Sequence, residues 1–210
     1  GTLPYGVSVS PDGSKVYITN SNTDDVSVIN TSTNTVIATI PVGNNPKGIT
    51  VSPDGLRVYV TNDVTDDVTV INTITNTVIS TIPVGENPLG VALSPDGTIL
   101  YVGNRHDNNL SVINTTTNTL ITNIYVGLMP SGIAVSPNGS KVYVAKNFAD
   151  NVSVIDASSN TVIVNIPVGY SPKGVAISPD GTKVYVVSGS GSVSVINTAT
   201  NMVINTIPVG

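Results

Sequence analysis

Ser10-Pro11-Asp12-Gly13 returns as Ser52-Pro53-Asp54-Gly55, Ser94-Pro95-Asp96-Gly97, Ser136-Pro137-Asn138-Gly139 and Ser178-Pro179-Asp180-Gly181, always 42 residues further on. A period of this length marks a repeat architecture, in which one supersecondary unit is stacked on its neighbours. Five units fill the 210 residues in phase. The chain therefore reads as one domain with unit boundaries near 1–43, 44–85, 86–127, 128–169 and 170–210. Residues that every unit needs serve the stacking, so a functional signal is sought where the units differ.

Within the second unit, Gly48-Ile49-Thr50-Val51 reads as a strand stopped by Ser52-Pro53-Asp54-Gly55. Pro presets φ there, Asp tolerates the turn and Gly accepts positive φ, so the chain reverses. Arg57 to Asn62 follows as a second strand, a polar loop ends at Asp67, Val68 to Asn72 makes a third strand, and a Thr/Asn-rich turn leads into Thr77 to Ile82. Each unit is a four-stranded antiparallel meander. Consecutive apolar positions such as Val58-Tyr59-Val60 imply strands covered on both faces, and in a repeat the cover is the next unit. The β-branched, Gly/Pro-punctuated pattern excludes helical solenoids, and 42 residues are too many for one coil of a β-solenoid. Sheets stacked around an axis remain: an all-β, five-bladed β-propeller.

Tyr59-Val60-Thr61-Asn62, with Tyr17-Ile18-Thr19-Asn20 and Tyr101-Val102-Gly103-Asn104, resembles the signature of the YVTN family of β-propeller repeats. The flanking Val26 to Thr31 pattern and the Ile-Pro-Val-Gly segments at Ile40, Ile82, Ile166 and Ile207 agree with it. The resemblance covers all five units and is similar to propeller modules of archaeal and bacterial surface-layer and cell-surface proteins. It implies an extracellular or cell-surface setting. The family's best-known members are usually seven-bladed, which leaves two expectations here: five blades closing as a ring, or a parent with more units. No spare strand is visible to latch the ends, and an unclosed array is expected to self-associate through its bare sheet faces.

Composition narrows the function. A net charge of −5 with eight Lys and Arg leaves no basic surface for phosphates, so nucleic acid is not an expected partner. No apolar run nears the about 20 residues that span a bilayer, so no membrane insertion is expected. The opening Gly1-Thr2-Leu3-Pro4 lacks a charged-then-apolar leader, which fits a removed signal or an excised piece. The absence of Cys excludes disulfides, thiolate metal sites and c-type haem attachment. Sequons at Asn30, Asn109, Asn114, Asn138 and Asn151 would permit glycosylation outside the cell, although a chain this rich in Asn and Thr contains such triplets by composition.

In a meander, the first and third loops of each blade share one face, and the second loops share the other with the connections between blades. The first face barely varies. On the second, blades three and four break the consensus: Arg105-His106-Asp107 and Phe148 in second loops, Leu128-Met129 and Tyr170 in connections, and Lys146 where Asn20, Asn62 and Asn104 stand. Arg105, His106, Asp107, Leu128, Met129, Lys146, Phe148 and Tyr170 are the candidate binding surface, because mixed apolar and polar loops on a rigid scaffold are the usual form of one. Neutral drift of exposed loops is the competing reading. His106 has no second His to form a metal or catalytic pair. Asp24-Asp25 and Asp66-Asp67 lack the spacing of a calcium loop. The tyrosines at 17, 59, 101, 143 and 185 are expected to pack between blades with satisfied hydroxyls.

These readings predict a non-enzymatic structural and interaction module, with no cofactor and no catalytic or metal site, whose partners are other proteins or copies of itself. The alternative is a lectin-like propeller in which Tyr5, Phe148 and Tyr170 stack on sugars. Propeller enzymes such as lactonases and haem-containing reductases are a weaker match, since no convergent ionisable set is present.

Overall fold

The computed structural model describes residues 1–210 and contains twenty strands in five four-stranded antiparallel sheets. Blade one is β1 (Pro4–Val9), β2 (Lys15–Asn20), β3 (Asp25–Asn30) and β4 (Thr35–Pro41), paired in sequence order. The later blades repeat it, with first strands β5 (Pro46–Val51), β9 (Pro88–Leu93), β13 (Pro130–Val135) and β17 (Pro172–Ile177). The expected all-β propeller of five meanders is the observed one.

Each turn is built by the residues that mark the repeat. Gly13 sits at φ 71°. The Ser10 hydroxyl donates to Asp12 Oδ1 (2.6 Å), and the same carboxylate accepts the Ser14 N–H (3.0 Å). Ser10 Oγ also accepts the Lys15 N–H, pinning the start of β2. At the third turn Asn30 Oδ1 accepts the N–H groups of Ser32 and Thr33, and Asn34 takes φ 55°, a conformation Asn tolerates. The Thr31 hydroxyl donates to the Gly13 carbonyl, so these two turns share a face as the meander requires.

Bonding to Ser10 and Ser14 lowers the Asp12 carboxyl to about 2, and bonding to Ser178 and Thr182 does the same for Asp180. Asp54, Asp96 and Asp156 are shifted down for the same reason, with hydroxyl donation from Ser52, Ser94 and Ser158 first. A carboxylate whose folded pKa lies below its unfolded value stabilises the fold above the unfolded pKa, here 3.8, and loses that contribution as pH falls toward about 2. The thermal midpoint is therefore expected to be level near neutrality and to drop below pH 3.8. Asp12→Asn combined with Asp180→Asn should flatten that acid limb. Asn138 already makes the equivalent bonds, from Ser136 Oγ and the Ser140 N–H, without a charge.

The blades are held together by four apolar cores, one at each junction. The first joins Tyr17, Val26, Val28 and Ile40 of blade one to Ile49, Val58, Val60 and Ile71 of blade two. Equivalent residues join blades two and three, three and four, and four and five. Near the axis the first strands pack in succession, β1 on β5, β5 on β9, β9 on β13 and β13 on β17. The Thr19 hydroxyl accepts the Gly6 N–H and donates to the Lys47 carbonyl of the next blade (both 2.8 Å). Thr61 bridges Gly48 and Leu89 in the same way.

No such core joins blade five to blade one. Val7 is 65% exposed and Tyr185 36%, whereas Tyr17, Tyr59, Tyr101, Tyr143 and Ile49 are buried and Val91, Ile133 and Val175 are half-buried. The blades form an arc with two bare ends, which answers the question of closure left open by the sequence. Strands two and three of blades two to four are covered on both faces as expected; the outer faces of blades one and five are not.

Candidate functional site

The second loops and the blade connections form one continuous hydrogen-bonded belt. Each loop donates a backbone N–H to the connection entering its own blade: Ser21 to Leu3, Asp63 to Asn45, Arg105 to Asn87, Asn147 to Met129 and Gly189 to Ser171. Each connection is also clasped by the loop of the blade it leaves. Asp24 Oδ1 accepts the Asn45 N–H (2.7 Å), Asp66 that of Asn87, Asn108 that of Met129 and Asp150 that of Ser171. Asp25 turns the other way and accepts from Asn20 Nδ2 (2.6 Å). The paired carboxylates thus serve separate architectural bonds, and no three His, Cys, Asp or Glu side chains converge as metal ligands.

On this belt Met129 links the loops of blades three and four, since it donates to Asn108 and accepts from Asn147. Ser171 links blade four to blade five through Asp150, Asn147 and Gly189. Around these two links the structure gathers an exposed Leu128, Phe148 (63% exposed) and Tyr170 (67%), with His106 and Asp107 exposed on the blade-three loop and Arg105 half-buried beside them. His106 Nδ1 stands 3.9 Å from Glu86 Oε2, and the Asp107 carboxylate accepts the Glu86 N–H. Seven of the eight candidate residues therefore lie along one sector of one face.

Lys146 does not belong to that surface. It is 4% exposed, and its ammonium donates inward to Asn165 Oδ1 (2.8 Å). Burial pushes it below the ordinary lysine range. The reason is its register: it ends a second strand, where Asn20 and Asn62 also turn inward to bond neighbours in their own sheets. The expected satisfaction of the tyrosine hydroxyls also needs correction. Tyr17 and Tyr143 are fully covered, but their hydroxyls have no partner, and desolvation raises both. Tyr5, grouped with Phe148 and Tyr170 in the sugar-stacking alternative, lies on β1 with the Lys47 ammonium 4.7 Å above its ring.

Two features escaped the sequence reading. Met129 holds φ 54° where blades one and two use Asn45 and Asn87. An unbranched hydrophobe in the left-handed region is strained by about 1 kcal/mol relative to Asn. Met129→Asn is expected to raise stability by about that amount in denaturant unfolding, because Asn bears the same backbone cheaply. The signal was visible in the Asn at the two earlier positions. The second feature is a row of polar clefts on the opposite, invariant face, one at each junction. The largest, about 500 Å³, lies between Asp12, Lys15 and Tyr17 of blade one and Asp54, Leu56 and Ile74 of blade two. Lys15 Nζ crosses it to the Thr73 carbonyl (2.7 Å), and Arg57 and Lys141 repeat that crossing at the second and fourth junctions.

Comparison with known proteins decides the family. A model described as YNCE-like beta-propeller matches residues 5–102 and again 94–183. The chain belongs to that family. No curated protein matches it. Among solved structures, Kuenenia stuttgartiensis hydrazine synthase is similar at TM-score 0.84 and 27% identity, over 93% of this chain and 63% of that one. A functionally unknown protein from Desulfotomaculum acetoxidans is similar at TM-score 0.84 and 19% identity, over 99% of this chain and 72% of that one. The chain thus spans less than two thirds of the first of these. As a YNCE-like propeller it shares a scaffold that hosts unrelated activities, so function rests on the site.

Proposed function

We propose that the chain is a non-catalytic structural and interaction module, of the YVTN type found at cell surfaces and outside cells, that offers the loop belt of blades three and four to a protein partner or to another copy. The observation that carries this reading is the cluster of Leu128, Phe148 and Tyr170, exposed on loops whose backbones are tied to each other and to rigid blades. Exposed aromatics held by a preorganised backbone lose little entropy on contact. The strain kept at Met129 lies at the centre of the same cluster.

Sedimentation of the chain at rising concentration, compared with Phe148→Asp combined with Tyr170→Asp, tests it. The double variant should keep the fold and weaken association at least about tenfold, the effect of losing two aromatic anchors. Unchanged association would remove the belt from consideration. A lectin-like role is favoured by one observation, the two open rings of Phe148 and Tyr170 on neighbouring blade-four loops. Glycan binding lost in Phe148→Ala would support it over protein contact.

A further inference from the structure

Two kinds of side chain tie one blade to the next, and both are missing between blades three and four. A cation at the start of the second strand reaches the carbonyl of the next blade's third turn at the other three junctions: Lys15 to Thr73 (2.7 Å), Arg57 to Thr115, and Lys141 to Thr198 (2.7 Å). At the same three junctions a hydroxyl donates to a carbonyl in the next blade's first strand: Thr19 to Lys47 (2.8 Å), Thr61 to Leu89 (3.0 Å) and Ser131 to Lys173 (3.1 Å). In blade three the corresponding positions of the second strand are Ile99 and Gly103, which have nothing to donate.

The rest of the third junction is altered with them. Asn108 clasps the Met129 N–H with a neutral amide oxygen at 3.0 Å, where Asp24, Asp66 and Asp150 use a carboxylate at 2.7 to 2.9 Å, and charge-assisted bonds are the stronger. One other tie remains, the Ser153 hydroxyl at 3.1 Å from the Val126 carbonyl, and its single proton is shared with the nearer Asn165 Oδ1 (2.7 Å). Gly127, in the connection that crosses this junction, takes φ 98°, whereas Gly43, Gly85 and Gly169 in the other connections stay outside the left-handed region.

Apolar packing is kept. Tyr101, Leu110, Val112 and Ile124 of blade three meet Val142, Val144 and Ile155 of blade four, with Ile99 packed against them. Burial of apolar area resists separation but is non-directional, whereas hydrogen bonds fix angle and register. The two blades therefore stay in contact while little holds their inclination.

We infer that the junction between blades three and four is a hinge, at which blades one to three and blades four and five tilt or slide as two bodies on an intact apolar core. Arg105, His106 and Asp107 lie on one side of it, Phe148 and Tyr170 on the other, and Leu128-Met129 crosses it. The hinge thus sets the spacing between the two halves of the proposed contact surface. It stands on the make-up of the junction and is independent of what that surface binds.

The chain has no Cys, so spin labels can be placed singly at chosen sites. Ser32, Ile74, Thr116 and Ser158 are exposed and hold equivalent places in the third turns of blades one to four. Pulsed dipolar spectroscopy on Ser32→Cys with Thr116→Cys reads the first and second junctions, and on Ile74→Cys with Ser158→Cys the second and third; an excess of unlabelled chain removes signals between copies. The second distance distribution should be at least about twofold broader than the first, as for a shear joint compared with a fixed one. Ile99→Lys combined with Gly103→Thr restores both ties and should narrow the second distribution to the width of the first. A Cβ on Gly103 meets Ile133 and Pro130 at 3.4 Å, an ordinary contact, so the site has room. Lys15→Ile combined with Thr19→Gly strips the first junction in the same way and should broaden the first distribution to match. The two variants act in opposite directions, so a folding defect in one leaves the other to decide. Equal widths in the unmodified chain, no narrowing when the ties are restored, or no broadening when they are stripped would each overturn the inference.

Discussion

Ile71→Ala is expected to destabilise the protein by about 3 kcal/mol in denaturant unfolding, and Ile29→Ala by less than about 1 kcal/mol, although the two residues occupy the same register of the same repeat. Ile71 is fully buried in the core between blades one and two, among Tyr17, Val28 and Val58. Removing its side chain forfeits the transfer energy and leaves a cavity between two sheets, each pinned by its own hydrogen bonds and unable to collapse. Ile29 points out of blade one, where no sheet faces it, and is half-buried by its own neighbours. Water fills whatever its loss vacates. A common cost at both positions would show that the ends pack on each other in solution.

Gly90→Ala should be the more damaging change, at about 3 kcal/mol or more, while Gly174→Ala should be neutral or stabilise by up to about 1 kcal/mol. At Gly90 the first strands of blades three and four approach so closely that a Cβ would overlap the Ser131 carbonyl oxygen. Relief requires the inner strands to separate and strains the junction around them. Gly174 occupies the same place in the last blade and meets nothing within 4 Å, with no positive φ to require glycine. Alanine there reduces the freedom of the unfolded chain without a steric cost. Thermal melts of the two variants read the sign directly.

Much of this was legible in the sequence because repetition amplifies it. Ser-Pro-Asp-Gly and Asn-Thr-x-Thr-Asn-Thr specify local backbone through hydrogen bonds within a few residues, and the structure reproduces those turns at Asp12 and Asn30 as read. The assignment of loops to faces follows from antiparallel pairing alone, and it placed Arg105, His106, Asp107, Leu128, Met129, Phe148 and Tyr170 on one side. Lys146 does not share that side: its departure from Asn looks in the sequence like loop variation, whereas strand register turns it inward to Asn165. The unpartnered hydroxyls of Tyr17 and Tyr143 were also hidden, since whether a buried group finds a partner depends on atoms from another blade.

The amino-acid sequence by itself determined the blade: its period, its four strands, its turns and the face on which each loop lies, all consequences of short-range stereochemistry repeated five times. Only the tertiary structure decided how the blades meet. The inclination of one sheet on the next is set by side chains such as Tyr59 and Leu100 interlocking across a junction, and five such steps leave Val7 and Tyr185 apart and uncovered. Curvature accumulates from packing between distant residues, so no local pattern announces that the arc remains open.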